Sequence, residues 1–244
     1  MIKDILTDIV AHTHSLGFLP LVKITGAKDS TTIESMAEDR SVVVTANAHT
    51  PVSEFDGTFG MPNLDKLNLH LKNPEYKENA QINVTKAQRN GVDVPTGLHF
   101  ENQASDFQND YRFMNSEIIN EKLKTVKFKG ATWDVECKPS ITAIQRLKLQ
   151  AAANNEETVF QVRTENSNLV FFFGDASTHA GSFVFHPNVT GKLKHTWAWP
   201  VSQVQSILNL DGEITMKISD QGAMQITVDS GVAEYNYILP SQSK

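Results

Sequence analysis

The feature that most constrains how this 244-residue sequence folds is a pattern of residue periods that runs through it twice. Ile2, Ile5, Leu6, Ile9 and Val10 recur at helical spacing ahead of Gly17. A shorter helix is expected over Pro62–Leu71, with Leu64, Leu67 and Leu71 on one side and the proline suited to a first turn. The second half repeats this. Ser140–Ala153 reads as a helix capped by Ser140, with Ile141, Ile144 and Leu147 apolar. Pro200–Leu210 follows, with Val201, Val204, Ile207 and Leu208.

Between the helices the period falls to two. Leu21–Thr25, Thr31–Met36 and Ser41–Ala46 read as strands, followed by Ala80–Lys86, Gly97–Asn102 and Asp110–Met114. In the second half the strands are Thr158–Thr164, Leu169–Phe173 and Ser182–His186. The unbroken Val170-Phe171-Phe172-Phe173 run predicts a strand covered on both faces. The clearest segment is the last: Ile214/Met216/Ile218, Met224/Ile226/Val228 and Ala233/Tyr235/Tyr237/Leu239 alternate, separated by Asp220-Gln221-Gly222 and Asp229-Ser230-Gly231. That is a three-strand meander with glycine turns.

Each half therefore reads helix, three strands, short helix, three strands, a repeat of roughly 120–140 residues. Ile2/Ile5 align with Ile141/Ile144, and Met61-Pro62 with Trp199-Pro200. The joint falls near Ile119–Lys129. The expectation is an α+β chain of two similar domains, 1–122 and 123–244, each with two helices packed on antiparallel sheets.

Composition removes several function classes. No apolar run approaches the ~20 residues of a membrane span, and Asp4 and Asp8 interrupt the apolar start where a signal-peptide core would lie. The single cysteine, Cys137, excludes an internal disulfide framework, suits a reducing compartment and reads as a buried apolar residue. A cytoplasmic protein is expected. The formal charge of -6 argues against a uniformly basic nucleic-acid binder. Yet basic residues gather on the predicted helices: Lys3 on the first, Lys66 and Lys72 on the second, and Lys138, Arg146 and Lys148 on or just before the third. Segregation of that kind is what non-specific contact with phosphates needs, although a solvated helix face carries charge as well.

Enzyme chemistry has little behind it. There is no GxxxxGK[ST], GxGxxG or CxxC, so no cofactor is expected. His12 and His14 stand two apart on a helix and point away from each other, which leaves no metal site there. Asp175, Ser177, His179 and Ser182 crowd one loop, and such residues make polar turns more readily than triads.

The element order resembles the DNA sliding clamps, the processivity factors of replicative polymerases. The likeness is best over 196–240. There Trp199-Pro200-Val201 and Ile207-Leu208 lead into Gly212-Glu213-Ile214 and the Asp220-x-Gly222 turn, and the chain closes on Tyr237-Ile238-Leu239-Pro240. Tyr111-Arg112-Phe113-Met114, a linker and a fresh helix look like the crossing between domains. Two domains per chain resemble the trimeric clamps of tailed phages, eukaryotes and archaea. The three-domain type needs more than ~350 residues at ~120 per domain.

The resemblance implies a homotrimeric ring, viral if phage-encoded and then in the host cytoplasm. It would encircle double-stranded DNA without reading sequence, tether a DNA polymerase and be placed by a clamp loader. Lys3, Lys66, Lys72, Lys138, Arg146 and Lys148 would line the hole. Tyr237, Leu239 and Pro240 would border a client-peptide pocket, although alternation gives Tyr237 and Leu239 a core role too. Strand edges near Phe183–His186 or Ser41–Ala46 would join the subunits. Lys122, Lys124, Lys127 and Lys129 face DNA or protect a strand edge, and Ser241–Lys244 reads as a mobile tail. A monomeric DNA-binding processivity factor and a structural assembly protein are the alternatives.

Overall fold

A computed structural model describes residues 2–89, 91–124, 128, 130–175, 177 and 179–242. The elements of the first half are α1 (Ile2–His12), β1 (Val22–Ala27), β2 (Ser30–Met36), β3 (Val43–Ala48), β4 (Gly57–Met61), α2 (Leu64–Lys72), β5 (Gln81–Arg89), β6 (Val92–Glu101), β7 (Gln108–Arg112) and α3 (Ser116–Lys122). The second half holds β8 (Val135–Cys137), α4 (Ile141–Ala153), β9 (Val159–Glu165), β10 (Asn168–Phe173) and β11 (Gly181–His186). It continues with β12 (Trp197–Pro200), α5 (Val201–Leu208), β13 (Glu213–Ser219), β14 (Ala223–Asp229) and β15 (Ala233–Pro240). The chain divides into two compact units, Met1–Val126 with Asp229–Tyr235, and Lys127–Val228 with Asn236–Lys244.

In the first unit, β4, β1, β2 and β3 lie side by side, and β5, β6 and β7 form a second sheet. α1 turns Ile5, Leu6, Ile9 and Val10 inward and packs on α2, which buries Leu64, Leu67 and Leu71. Val22, Ile24, Ile33 and Val44, on β1, β2 and β3, are fully buried as well. The tip of the β14–β15 hairpin belongs to this unit. His12 stacks on Tyr235 at 4.5 Å, and the Tyr235 hydroxyl donates to the Asp8 carboxylate at 2.8 Å.

The second unit repeats the scheme. β11, β10, β9 and β12 make one sheet, and β14, β13 and β8 lie side by side in the other. Ser140 caps α4 as expected, its hydroxyl accepting from the Ala143 N–H at 3.1 Å. α4 buries little beyond Ala143 and Leu147, so α5, with Val201, Val204, Ile207 and Leu208 inside, supplies most of the pair's apolar contact. Phe160, Phe171 and Phe185 stack through the core. Cys137 is buried there, which pushes its thiol up to about 12.

The structure adds elements that periodicity did not give. β4 and β12 precede the second helix of each half, β8 opens the second half, and α3 occupies the expected linker, capped by Asn115. β4 and β12 make the repeat visible in hydrogen bonds. β4 bridges Met114, two residues past β7, and β12 bridges Gln242, two residues past β15. Val22 pairs with Met61 and Phe160 with Trp199, all four fully buried, so Met61 and Trp199 stand at equivalent places in the two halves.

Two expectations are corrected. The outer side of β10 is only half covered: Phe172 lies under the Arg163 guanidinium, 3.8 Å from the ring centre, rather than under a second apolar layer. The tail after Pro240 is tied down as far as it is described. The Ser241 N–H donates to Gly222 at 2.8 Å and the Gln242 N–H to Ala198 at 2.9 Å.

Two predictions come from this packing. A Cβ on Gly60 would sit 2.8 Å from Ile119 Cδ1, so α3 seats on β4 only because that position is bare. Gly60→Ala should cost roughly 1–3 kcal/mol in urea unfolding, and adding Ile119→Ala should make the combined loss smaller than the sum of the two. The second concerns His70, whose Nε2 is buried with no hydrogen-bond partner while its ring lies 5.2 Å from Phe100. Desolvation, then the Lys66 charge, hold its pKa below the ordinary 6.5. The unfolded chain therefore takes up this proton first, and stability is lost as pH falls below about 6.5 toward the folded value. His70→Phe should unfold with less acid-side loss between about pH 7 and 5.

Candidate nucleic-acid interface

The exposed sides of the four long helices follow from their buried stripes, since residues three and four apart share a face. On α4 the inward stripe is Ala143 and Leu147. The opposite face is therefore Ile141, Gln145, Leu149 and Ala152, with Arg146 and Lys148 on its two flanks. All six are exposed, Ile141 to 78 % and Leu149 to 70 %. Lys138 is exposed just before the helix. On α2 the outward face holds Asp65, Lys66, Leu69 and Lys72, all exposed. Lys3 on α1 is half-buried instead, its ammonium donating to the Tyr76 carbonyl at 2.6 Å. Five of the six expected lining residues thus reach solvent fully, and the sixth is held by a backbone carbonyl.

Acidic groups on the same helices differ in placement. Asp4 and Asp65 are exposed. Asp8 turns inward, one carboxylate oxygen accepting from Tyr235 and the other 3.3 Å from His12 Nδ1. That pairing is what His12 does, and His14 lies beyond the helix in a 3-10 turn. Among the described residues no group of three His, Cys, Asp or Glu side chains is arranged to hold a metal ion. Ser177 donates both its N–H and its hydroxyl to Asp175, at 2.8 and 2.6 Å, which is the geometry of a polar turn. No described helix is long and apolar enough to cross a membrane.

The three residues expected at a peptide pocket separate. Tyr237 and Leu239 are fully buried, and the Leu239 carbonyl accepts from the Trp199 indole at 3.1 Å. Pro240 is exposed. Any peptide beside this strand therefore meets Pro240 directly and the other two only through the shape they give the sheet. Lys122, the last residue of α3, and Lys124 just after it are exposed, while Lys127 and Lys129 lie outside the described residues.

Strand edges are the other feature. β11 ends its sheet with β10 as sole neighbour, and β7 ends its own with β6 as sole neighbour among the described residues. β3, the other expected edge, is not one. It has β2 on one side and the start of β15 on the other, where the His49 N–H donates to Val232 at 2.9 Å.

Burial separates the two kinds of pocket residue experimentally. Tyr237→Ala should lose about 3–5 kcal/mol of unfolding free energy, whereas Pro240→Ala should change it by less than about 1 kcal/mol. Urea titration of the two variants checks this.

No family model matches the sequence, and no curated protein sequence matches it. Among solved structures it is similar to A. fulgidus PCNA bound to the C-terminal region of FEN-1, at 12% identity over 99% of this chain and 95% of that one, TM-score 0.69. Thermococcus kodakaraensis PCNA gives 11% identity over 99% of this chain and 97% of that one, TM-score 0.69. Proliferating cellular nuclear antigen from Entamoeba histolytica gives 10% identity over 100% of this chain and 95% of that one, TM-score 0.64. The chain has the DNA sliding clamp fold.

Proposed function

We propose that this protein is a DNA sliding clamp. Three copies join head to tail, and their six repeats, 1–122 and 123–244 in each, encircle duplex DNA with the helices toward it. The observation that carries this reading is the unequal treatment of equivalent strands. β3 is flanked on both sides, by β2 and by the start of β15, whereas its counterpart β11 has a neighbour on one side only among the described residues. β7, the counterpart of β15, is likewise bare on one side among the described residues. Each bare edge also exposes an apolar side chain, Val184 on β11 (37 %) and Phe107 just before β7 (40 %). Setting β11 of one copy beside β7 of the next repeats the β3–β15 arrangement and meets both edges' hydrogen-bonding needs. A heterologous contact of this kind closes as a ring if each step turns by about 120°.

The roles follow from the same reading. The helix cations meet phosphates without reading bases, and retention comes from encirclement rather than affinity. The protein itself catalyses nothing. It tethers a replicative polymerase by a peptide docked beside Pro240 and is placed on DNA by an ATP-dependent loader. That A. fulgidus PCNA holds a segment of FEN-1 supports the tethering. The setting is the cytoplasm, the host's if the gene is a phage's.

Light scattering across a concentration series should give a particle of about 81 kDa, three times the 27.1 kDa chain. Once loaded, the protein should stay on nicked circular DNA and be lost when the circle is cut. A monomer at every concentration, or equal loss from circles and linear DNA, would sink encirclement.

A further inference from the structure

We infer that successive copies of this chain are joined, beside their paired strands, by one particular contact: Phe107 of one copy lies on the Arg146 guanidinium of the next. The inference rests on the clamp reading above. Its template is inside the chain. Tyr235, in β15, rests on α1, where its ring stacks on His12 at 4.5 Å and its hydroxyl donates to Asp8 at 2.8 Å.

The repeat carries each member of that contact to a second place. The shift that takes the bridge partner Met114 to Gln242 takes Phe107 to Tyr235. A second shift takes Met61 to Trp199 and β3 to β11. It also takes Ile5 and Ile9 to Ala143 and Leu147, the buried stripe of α4, one residue from the Ile5/Ile144 alignment expected from the sequence. By the same shift Asp8 goes to Arg146 and His12 to Gln150. Setting β11 of one copy beside β7 of the next therefore brings Phe107 to α4 as Tyr235 is brought to α1.

Both partners are presented for this. Phe107 is 40 % exposed, whereas Tyr235 is fully buried. The buried Asn102 fixes the Phe107 backbone on both sides: its side-chain carbonyl accepts from the Phe107 N–H at 3.1 Å, and its own N–H donates to the Phe107 carbonyl at 3.1 Å. On α4, Arg146 and Gln150 share the flank toward β11, since Gln150 covers Gly181, the first residue of that strand. Lys148, Ala151 and Ala152 stand on the other flank and line the cleft shared with α5.

The chemistry of the pair changes in a matched way. Inside the chain a tyrosine hydroxyl meets a carboxylate. Phenylalanine has no hydroxyl to give, and the negative face of its ring would be repelled by an aspartate. Arginine in place of that aspartate turns repulsion into a cation–π attraction. Arg146 then belongs to the joint between copies, and the other exposed helix cations are left to line the hole.

The test is the concentration at which the particle of about 81 kDa, three times 27.1 kDa, dissociates, read by sedimentation of the full chain. Phe107→Ala and Arg146→Ala should each raise it by about tenfold, the size of a partly desolvated cation–π contact. Together they should raise it by less than the product of the two. Arg146→Asp should raise it as well, and adding Phe107→Tyr, which copies the Tyr235–Asp8 pair, should lower it again. Lys148→Ala, on the far flank of α4, should leave it unchanged. All the altered residues are exposed, and circular dichroism verifies that each variant folds.

A trimer indifferent to Phe107→Ala and Arg146→Ala, strictly independent effects of the two, or no recovery when Phe107→Tyr joins Arg146→Asp would overturn this contact and leave the ring standing. A single chain at every concentration of the unaltered protein would overturn both.

Discussion

An uncovered strand edge is a row of backbone donors and acceptors with nothing to bond, and the arrangement of this protein turns on how its edges are met. Within the chain some are met locally: β4 takes Met114 as a bridge partner, β12 takes Gln242, and β3 takes the start of β15. Among the described residues β5, β7, β8 and β11 each keep a single neighbouring strand, and β11 and β7 are the counterparts of β3 and β15, which pair here. The exposed Phe107 and Val184 lie at those same edges, so apolar burial and backbone pairing make the same demand. Assembly in this reading is less an added property than the completion of a pattern the chain begins.

Much of this was legible from residue order, for identifiable reasons. The last three strands could be read because Asp220-Gln221-Gly222 and Asp229-Ser230-Gly231 fix where each alternation stops, and β13, β14 and β15 follow those limits. The long helices announced themselves through stripes such as Ile5, Leu6, Ile9 and Val10. β4 was hidden by its composition. Gly57-Thr58-Phe59-Gly60-Met61 carries two glycines, which strands normally avoid, and one of them is needed so that Ile119 can lie against the strand. β12 is four residues, three of them buried in succession, and ends in proline, so it shows no alternation. α3 is seven residues long, too short for periodicity to speak, and its one signal was the Asn115 cap.

For the interface, phase along a helix correctly put Lys66, Arg146 and Lys148 outside. It did not reveal that Lys3 is held by Tyr76 or that Asp8 turns inward, because both depend on residues distant in sequence. Tyr237 and Leu239 show the limit of carrying a role over by motif. The family resemblance gave them a pocket border and alternation gave them a core position, and both side chains are fully buried, with Trp199 bonded to the Leu239 carbonyl.

The hairpin tip at Asp229–Tyr235 has a consequence in time. Tyr235 bonds to Asp8 across 227 positions, and its ring covers His12. A ribosome that has just delivered the first half of the chain has therefore not yet delivered everything the first unit needs. The amino-terminal core must wait, incompletely covered, until almost the last residues emerge. Such long-range closure is slow compared with local pairing. It also means that a truncation reaching back past Tyr235 would strip a contact from the amino-terminal helix as well as from the carboxyl-terminal half.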